Sequence, residues 1–180
     1  MIIRLKLISL LFLLFSCDKD EYIRTYSLPK VQTIPSVSFH EQEDENFFSW
    51  QVPQSWIEKD PSSMRLASFD VPYGNNIADI SITNFSGDGG GLLANVNRWR
   101  RQLELDPMSI GRINSLISFG KSELGEFKYI KIINDQDLSS AFMCAILEVK
   151  NSTVFVKLNA SVNGIKQLEK EFLLFCSSFK

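Results

Sequence analysis

Histidine is almost missing from this chain: His40 is the only one among 180 residues, so imidazole chemistry has a single candidate. It lies in a polar, aperiodic stretch with no cysteine or second histidine beside it, the setting of a solvated side chain. Cysteine is scarce too, with three, at Cys17, Cys144 and Cys176. No His/Cys/carboxylate cluster has metal-ligand spacing, no Gly-x-Ser-x-Gly elbow occurs, and no histidine follows residue 40 to activate a cysteine. No metal, no cofactor and no catalytic residues are therefore expected, and the chain reads as a non-enzymatic protein. A basic surplus is missing as well. The 19 Lys and Arg against 21 Asp and Glu argue against nucleic acid, which is normally met by a basic patch. After the first sixteen residues there is no long apolar run, so nothing later supplies the roughly 20 residues a membrane-spanning helix needs.

The apolar run that does exist is short and N-terminal. Arg4 and Lys6 precede an uncharged stretch from Leu7 to Phe15, and Leu14-Phe15-Ser16-Cys17 follows as a small-residue junction: residues 1–16 read as a secretory signal. The junction resembles the lipobox of bacterial lipoproteins, in which the cysteine is acylated and becomes the new N-terminus; the resemblance implies lipid attachment at Cys17. Cys17-Asp18-Lys19-Asp20-Glu21 further resembles the lipoprotein export signal of Bacteroidetes, a lysine followed by two acids, which implies the outer face of the outer membrane; the alternative is a solvated charge run. Loss of residues 1–16 removes Arg4 and Lys6 and no acid, leaving 17 basic and 21 acidic side chains. The expected location is the bacterial cell envelope, with the lipid as the contact to the membrane.

Residues 17–46 form the expected tether. They carry Pro29, Pro35 and the acidic cluster Glu41-Gln42-Glu43-Asp44-Glu45, without sustained periodicity. A coil of that length would hold a domain on the order of 30 Å from its anchor. Residues 47–180 then read as one α+β domain. Alternation predicts a strand over Phe48–Val52, ended by Pro53, and two more over Met64–Val71 and Ile77–Phe85, joined by a turn at Pro72–Asn76. A helix is expected after Gly91, to about Leu105, closed off by Pro107, because Leu92, Val96, Trp99 and Leu103 make one apolar stripe. Strands follow at Ser115–Phe119, Glu126–Ile133, Ala141–Val149 and Thr153–Ala160, and a helix at Gly164–Phe179. The run Ala141–Leu147 is apolar on both parities and so belongs to a central strand covered on both faces. Short connections make the sheet mainly antiparallel, with helices on both faces, an α/β/α sandwich.

The strand that ends in Pro53-Gln54-Ser55-Trp56, the order of elements and the closing Ser177-Ser178-Phe179 resemble the PsbP/Mog1-like fold. That family includes photosystem-associated lumenal subunits, a Ran-binding factor and envelope lipoproteins. The resemblance implies an α/β/α sandwich and a role in binding proteins or helping a membrane complex assemble, with an envelope protein as partner. A second, local likeness is the run Gly87-Asp88-Gly89-Gly90-Gly91 leading to Asn95-x-x-Arg98-Trp99-x-x-Gln102, similar to one in a family of secreted bacterial proteins that brings no activity with it.

That run is the candidate binding site. Gly87, Gly89 and Gly90 could present backbone N–H groups at a helix start to an anion. There is no Gly-Lys-Ser/Thr ending, which excludes a nucleotide P-loop. Asp88 stands at the expected N-cap, where its carboxylate would take those N–H groups itself, and capping is the favoured reading. Asn95, Arg98 and Gln102 share one flank of the helix. Either they tie the helix to neighbouring backbone carbonyls, the commoner fate of boundary Asn and Arg, or they line a groove for a small polar ligand or peptide. Cys144 and Cys176 are a disulfide or two buried free thiols. Asp135 and Asp137 lack the glycine and closing glutamate of a calcium loop and read as a turn.

Overall fold

The strand-forming stretches between Ile57 and Ala160 are realised as a single sheet among the described residues. In the computed structural model residues 48–62 and 64–180 are described; the signal segment 1–16, Cys17, the tether to residue 46 with His40, and Phe47 lie outside them. The strands are β1 (Ile57–Lys59), β2 (Ala67–Tyr73), β3 (Asn76–Ser86), β4 (Ser118–Ser122), β5 (Gly125–Asn134), β6 (Asp137–Val149) and β7 (Ser152–Ala160), and the helices α1 (Leu92–Gln102), α2 (Ile110–Asn114) and α3 (Val162–Ser177). Among the described residues the strands form one seven-stranded sheet in the order β1-β2-β3-β7-β6-β5-β4, antiparallel throughout. Two meanders, β1–β3 and β4–β7, are thus zipped together by β3 against β7. The segment holding α1 and α2 carries the chain from β3 to the far edge at β4.

The fold class is α+β, a sandwich of one sheet between two helical layers. On one face α3 packs Ile165, Leu168, Phe172 and Phe175 against Phe69, Val156 and their neighbours. On the other, Val96 and Trp99 of α1, Leu103 at its C-cap and Ile113 of α2 cover Ile130, Phe142, Ile146 and Phe155. Residues 141–147 of β6 are buried on both parities because this strand lies inside the sheet with a helix over each face.

Several expectations are corrected. Phe48–Val52 is not a strand: Ser49 exchanges backbone hydrogen bonds of 2.8 and 3.0 Å with Lys180, and Phe48 and Trp50 stack on Phe179. Its alternation records aromatic packing against the end of the chain, while the first strand is Ile57–Lys59, three residues too short to show a period. Pro72 and Tyr73 belong to β2, and the turn is Gly74-Asn75 alone, with Gly74 at φ 51° and Tyr73 paired to Asn76. Pro72 is tolerated because β1 runs beside Ser68–Asp70 only.

Helix α1 stops at Gln102, short of the expected Leu105. Glu104 adopts φ 57°, its N–H reaches Arg101 O at 3.1 Å, and Leu105 N–H reaches Arg100 O at 3.0 Å. This pair of bonds is a Schellman closure, which ends the helix before Pro107 is reached. The strand expected from Ser115 starts at Ser118, since Ile110–Asn114 forms a short helix capped by Ser109. Helix α3 begins two residues before Gly164, where Ser161 accepts the Gly164 N–H at 3.1 Å, and Phe179 lies beyond its end yet fully buried.

Candidate functional site

The glycine run is built by conformation first. Gly87, Gly89, Gly90 and Gly91 all have φ between 59° and 89°, a region costly for residues with a Cβ. The loop is also pinned: Gly87 N–H donates to Asn151 O at 2.7 Å, and Thr153 Oγ1 donates to Gly87 O at 2.7 Å. A Cβ on Gly89 would lie 2.7 Å from the Phe155 ring, so loop and sheet approach as closely as glycine allows.

Asp88 does not cap α1, contrary to expectation. Gly91 is the N-cap and supplies no side chain; Asp88 Oδ1 instead accepts the Gly90 N–H at 2.9 Å, closing the loop on itself. Its other oxygen, Oδ2, lies beside the N-cap, 3.6 Å from where a Cβ on Gly91 would stand, without a hydrogen bond to the helix start.

Asn95 joins loop to helix. It is buried, and its Nδ2 donates to Gly89 O at 2.9 Å and Gly91 O at 2.8 Å. Its Oδ1 accepts from Arg98 Nη2 at 2.6 Å. The backbone-tying role expected of the whole flank is therefore carried by Asn95, whereas Arg98 is exposed and reaches only the Asn95 amide oxygen. Gln102, also exposed, accepts from Lys157 Nζ at 2.7 Å. Gly87, Asp88, Gly89, Gly90 and Asn95 are thus one unit, and Arg98 and Gln102 face the neighbouring part of the sheet.

A cavity of about 310 Å³ opens on the other side of the loop, lined by Gly87, Asp88, Lys128, Glu148, Lys150 and Phe155 among others. Lys128 and Glu148 close on each other there at 2.7 Å. Asn95, Arg98 and Gln102 do not line it. Loop and polar flank consequently do not form one pocket.

Beside Arg98 and Gln102 lies a polar region that sequence reading missed. Direct cross-strand partners share a face, which places Lys59, Ser68, Ser81 and Lys157 in one lateral row and Asp70, Asp79 and Asn159 in the next, on the α1 side. Lys59 pairs with Asp70 and Asp79, and Arg65 with Asp79 at 3.1 Å and Ser68 Oγ at 3.2 Å. The Asp70 carboxylate holds the Lys59 ammonium above its ordinary value. Lys157 sits 3.9 Å over the Phe142 ring, and burial pushes its ammonium down, with Arg65 and Arg98 adding to the shift. The signals were there: Lys157 interrupts the apolar run Val154–Leu158, and Ser68, Asp70, Asp79 and Ser81 alternate with apolar residues.

The thiols are free and apart. Cys144 belongs to the core under α1 and Cys176 to the core under α3, on opposite faces of the sheet. Burial pushes both well up from the ordinary thiol range. Asp135 lies in the turn between β5 and β6, and Asp137 opens β6 and takes the Ser139 N–H at 2.9 Å; the Ser139 hydroxyl and then this N–H lower its carboxyl. Among the described residues no group of His, Cys, Asp and Glu is arranged to hold a metal, and no helix is long and apolar enough to cross a membrane.

No family model and no curated protein matches the chain. Among solved structures it is similar to the solution structure of cyanobacterial PsbP (CyanoP) from Synechocystis sp. PCC 6803, at 10% identity over 74% of this chain and 85% of that one, with a TM-score of 0.49. It is also similar to a crystal structure from Bacteroides thetaiotaomicron VPI-5482, at 16% identity over 74% of this chain and 44% of that one, with a TM-score of 0.45. The sandwich class stands on the sheet and its two covered faces.

Proposed function

We propose that this is a lipid-anchored, non-enzymatic protein of the bacterial cell envelope, whose sandwich domain binds another protein or assists assembly of a membrane complex. The observation that carries the reading is the closed network at Asn95: its amide is spent on Gly89 O, Gly91 O and Arg98, so the glycine run is a rigid corner of the domain. A corner of that kind presents a fixed surface to a partner. Buried thiols pushed up in pKa offer no thiolate at neutral pH, which favours a non-catalytic role. The lipobox-like Leu14-Phe15-Ser16-Cys17 supports the anchor, and Lys19-Asp20-Glu21 supports the outer face of the outer membrane.

The test is capture from native membranes after cross-linking, with the full-length protein as bait; a defined envelope protein retained in stoichiometric amount is expected, and retention of none sinks the reading. For the anchor, intact mass should show an acylated N-terminus at Cys17, and Cys17→Ser should leave the detergent phase or remain unprocessed. A wild-type chain with an unmodified Cys17 contradicts it. The cavity beside the glycine loop favours a second reading, a small polar ligand held by Asp88, Lys128 and their neighbours. Calorimetry with small carboxylates and sugars against Lys128→Ala separates the two.

A further inference from the structure

The sheet face under α1 is covered only in part. The core on that side draws its residues from β5, β6, β7 and the helices, with Phe85 of β3 at its margin, and no residue of β1 or β2 enters it. What no helix covers is a polar field in which Lys59, Asp70, Asp79 and Lys157 are partly exposed over the buried Ser68 and Ser81, bordered by the α1 flank that carries Arg98 and Gln102. Ile57 and Ile77, which the register places on the same face, are 58% and 65% exposed.

The charges in this field are not balanced alike. Lys59 and Arg65 are paired with Asp70 and Asp79. Arg98 and Lys157, in contrast, are each held by a neutral amide oxygen, Asn95 Oδ1 at 2.6 Å and Gln102 Oε1 at 2.7 Å, and among the described residues neither is paired with a carboxylate. Gln102 lies four residues, one helical turn, beyond Arg98, so the two cations stand on one flank. Arg98 acts on Lys157 as a like charge, and Asp79 acts on it from a distance as an opposite one. Two oriented cations with no carboxylate in contact, one of them partly desolvated over an aromatic ring, are arranged to receive an anion without reorganising.

We infer that Arg98 and Lys157 form a carboxylate-binding pair at the edge of the uncovered sheet face, and that its occupant is an acidic, extended segment of the partner protein. The inference rests on the protein-binding reading above and names the chemistry of the partner. Charge complementarity selects the segment: the field holds four cations, Lys59, Arg65, Arg98 and Lys157, against Asp70 and Asp79. A segment with acids spaced by apolar residues would meet the cation pair and the exposed Ile57 and Ile77 together.

The experiment is fluorescence anisotropy with a labelled oligoglutamate peptide, the all-glutamine peptide as control, and the full-length protein. Wild type should bind the acidic peptide alone, more weakly as salt rises, and Arg98→Gln and Lys157→Met should each weaken it on the order of tenfold, with Arg101→Gln without effect. Arg98 is exposed, so its variant folds even if Lys157→Met does not. No binding by wild type, or equal loss in Arg101→Gln, overturns the inference. A chain with Glu41→Gln, Glu43→Gln, Asp44→Asn and Glu45→Gln that binds where wild type does not would make its own acidic stretch the occupant and overturn the partner assignment. A membrane partner captured as well by Arg98→Gln as by wild type overturns this pair and leaves the protein-binding reading standing. Absence of any captured partner, with Arg98-dependent peptide binding intact, overturns that reading and the partner as occupant.

Discussion

Asn95 and Arg98 sit three residues apart on one helix and do opposite kinds of work. Truncating the buried Asn95 strips the half-buried Gly89 carbonyl of its amide partner, so Asn95→Ala should lower stability by about 1–3 kcal/mol in urea denaturation. Arg98 holds no backbone group, and Arg98→Ala should cost under about 1 kcal/mol in the same assay. Equal losses would mean that the two act as one structural unit. Lys157 makes a prediction in pH. Its folded-state ammonium titrates below the ordinary 10.5, so between the folded value and 10.5 the unfolded chain binds the extra proton and stability rises with pH. Lys157→Met removes this term. The stability of wild type minus that of Lys157→Met should therefore increase as pH rises from neutrality toward 10.5, measured by chemical denaturation at each pH; a flat or falling difference contradicts the placement of this lysine.

At the scale of the element, two helix ends were decided by contacts that periodicity does not carry. The apolar stripe of α1 continues through Leu103 and pointed to a stop at Pro107, yet the helix closes earlier through a left-handed Glu104. Glu104→Gly relieves that strain and should raise stability by roughly 0.5–1 kcal/mol. Gly164 shows the reverse. In the first turn of α3 a change to alanine would ordinarily gain about 1 kcal/mol of helix propensity. Here a Cβ would lie 2.6 Å from the Tyr73 ring and 2.8 Å from Ala160 Cβ, so Gly164→Ala should destabilise, by about 1–3 kcal/mol. Thermal melts of the two variants moving in opposite directions check both arguments; a Gly164→Ala protein that melts higher than wild type refutes the packing one.

At the scale of the whole domain, the described residues form one sheet with two cores, and β6 and β7 contribute to both. Loss of either helical layer strips the same strands, so the cores should fail together. Trp99→Ala under α1 and Phe172→Ala under α3 are each expected to cost about 3–5 kcal/mol and to leave a single transition, with fluorescence and circular dichroism coincident. Two resolved transitions in either variant would show separable layers. The same two-faced design explains the free thiols, because Cys144 and Cys176 are neighbours of one sheet and yet members of different cores.

What the sequence determined by itself was the set of local periods and the residues that punctuate them. The double-parity run Ala141–Leu147 declared an interior strand, the stripe from Leu92 to Leu103 declared a covering helix, and short turns declared antiparallel pairing, because each is a consequence of burial acting on neighbours in the chain. The glycines at 87 and 89–91 were legible as a special loop for the same reason, although what they served was not: the loop's partners, Asn151, Thr153 and Phe155, are brought to it by the β3–β7 pairing. Only the tertiary structure decided which strand edges met, and with that which polar residues became companions. Lys157, Ser81, Ser68 and Lys59 are spread over some hundred residues of sequence and fall into one row through cross-strand register. Each of these residues is legible alone, as a polar position within its own strand, but nothing local tells which of them become neighbours; the polar row they build exists only once β3 has paired with β7.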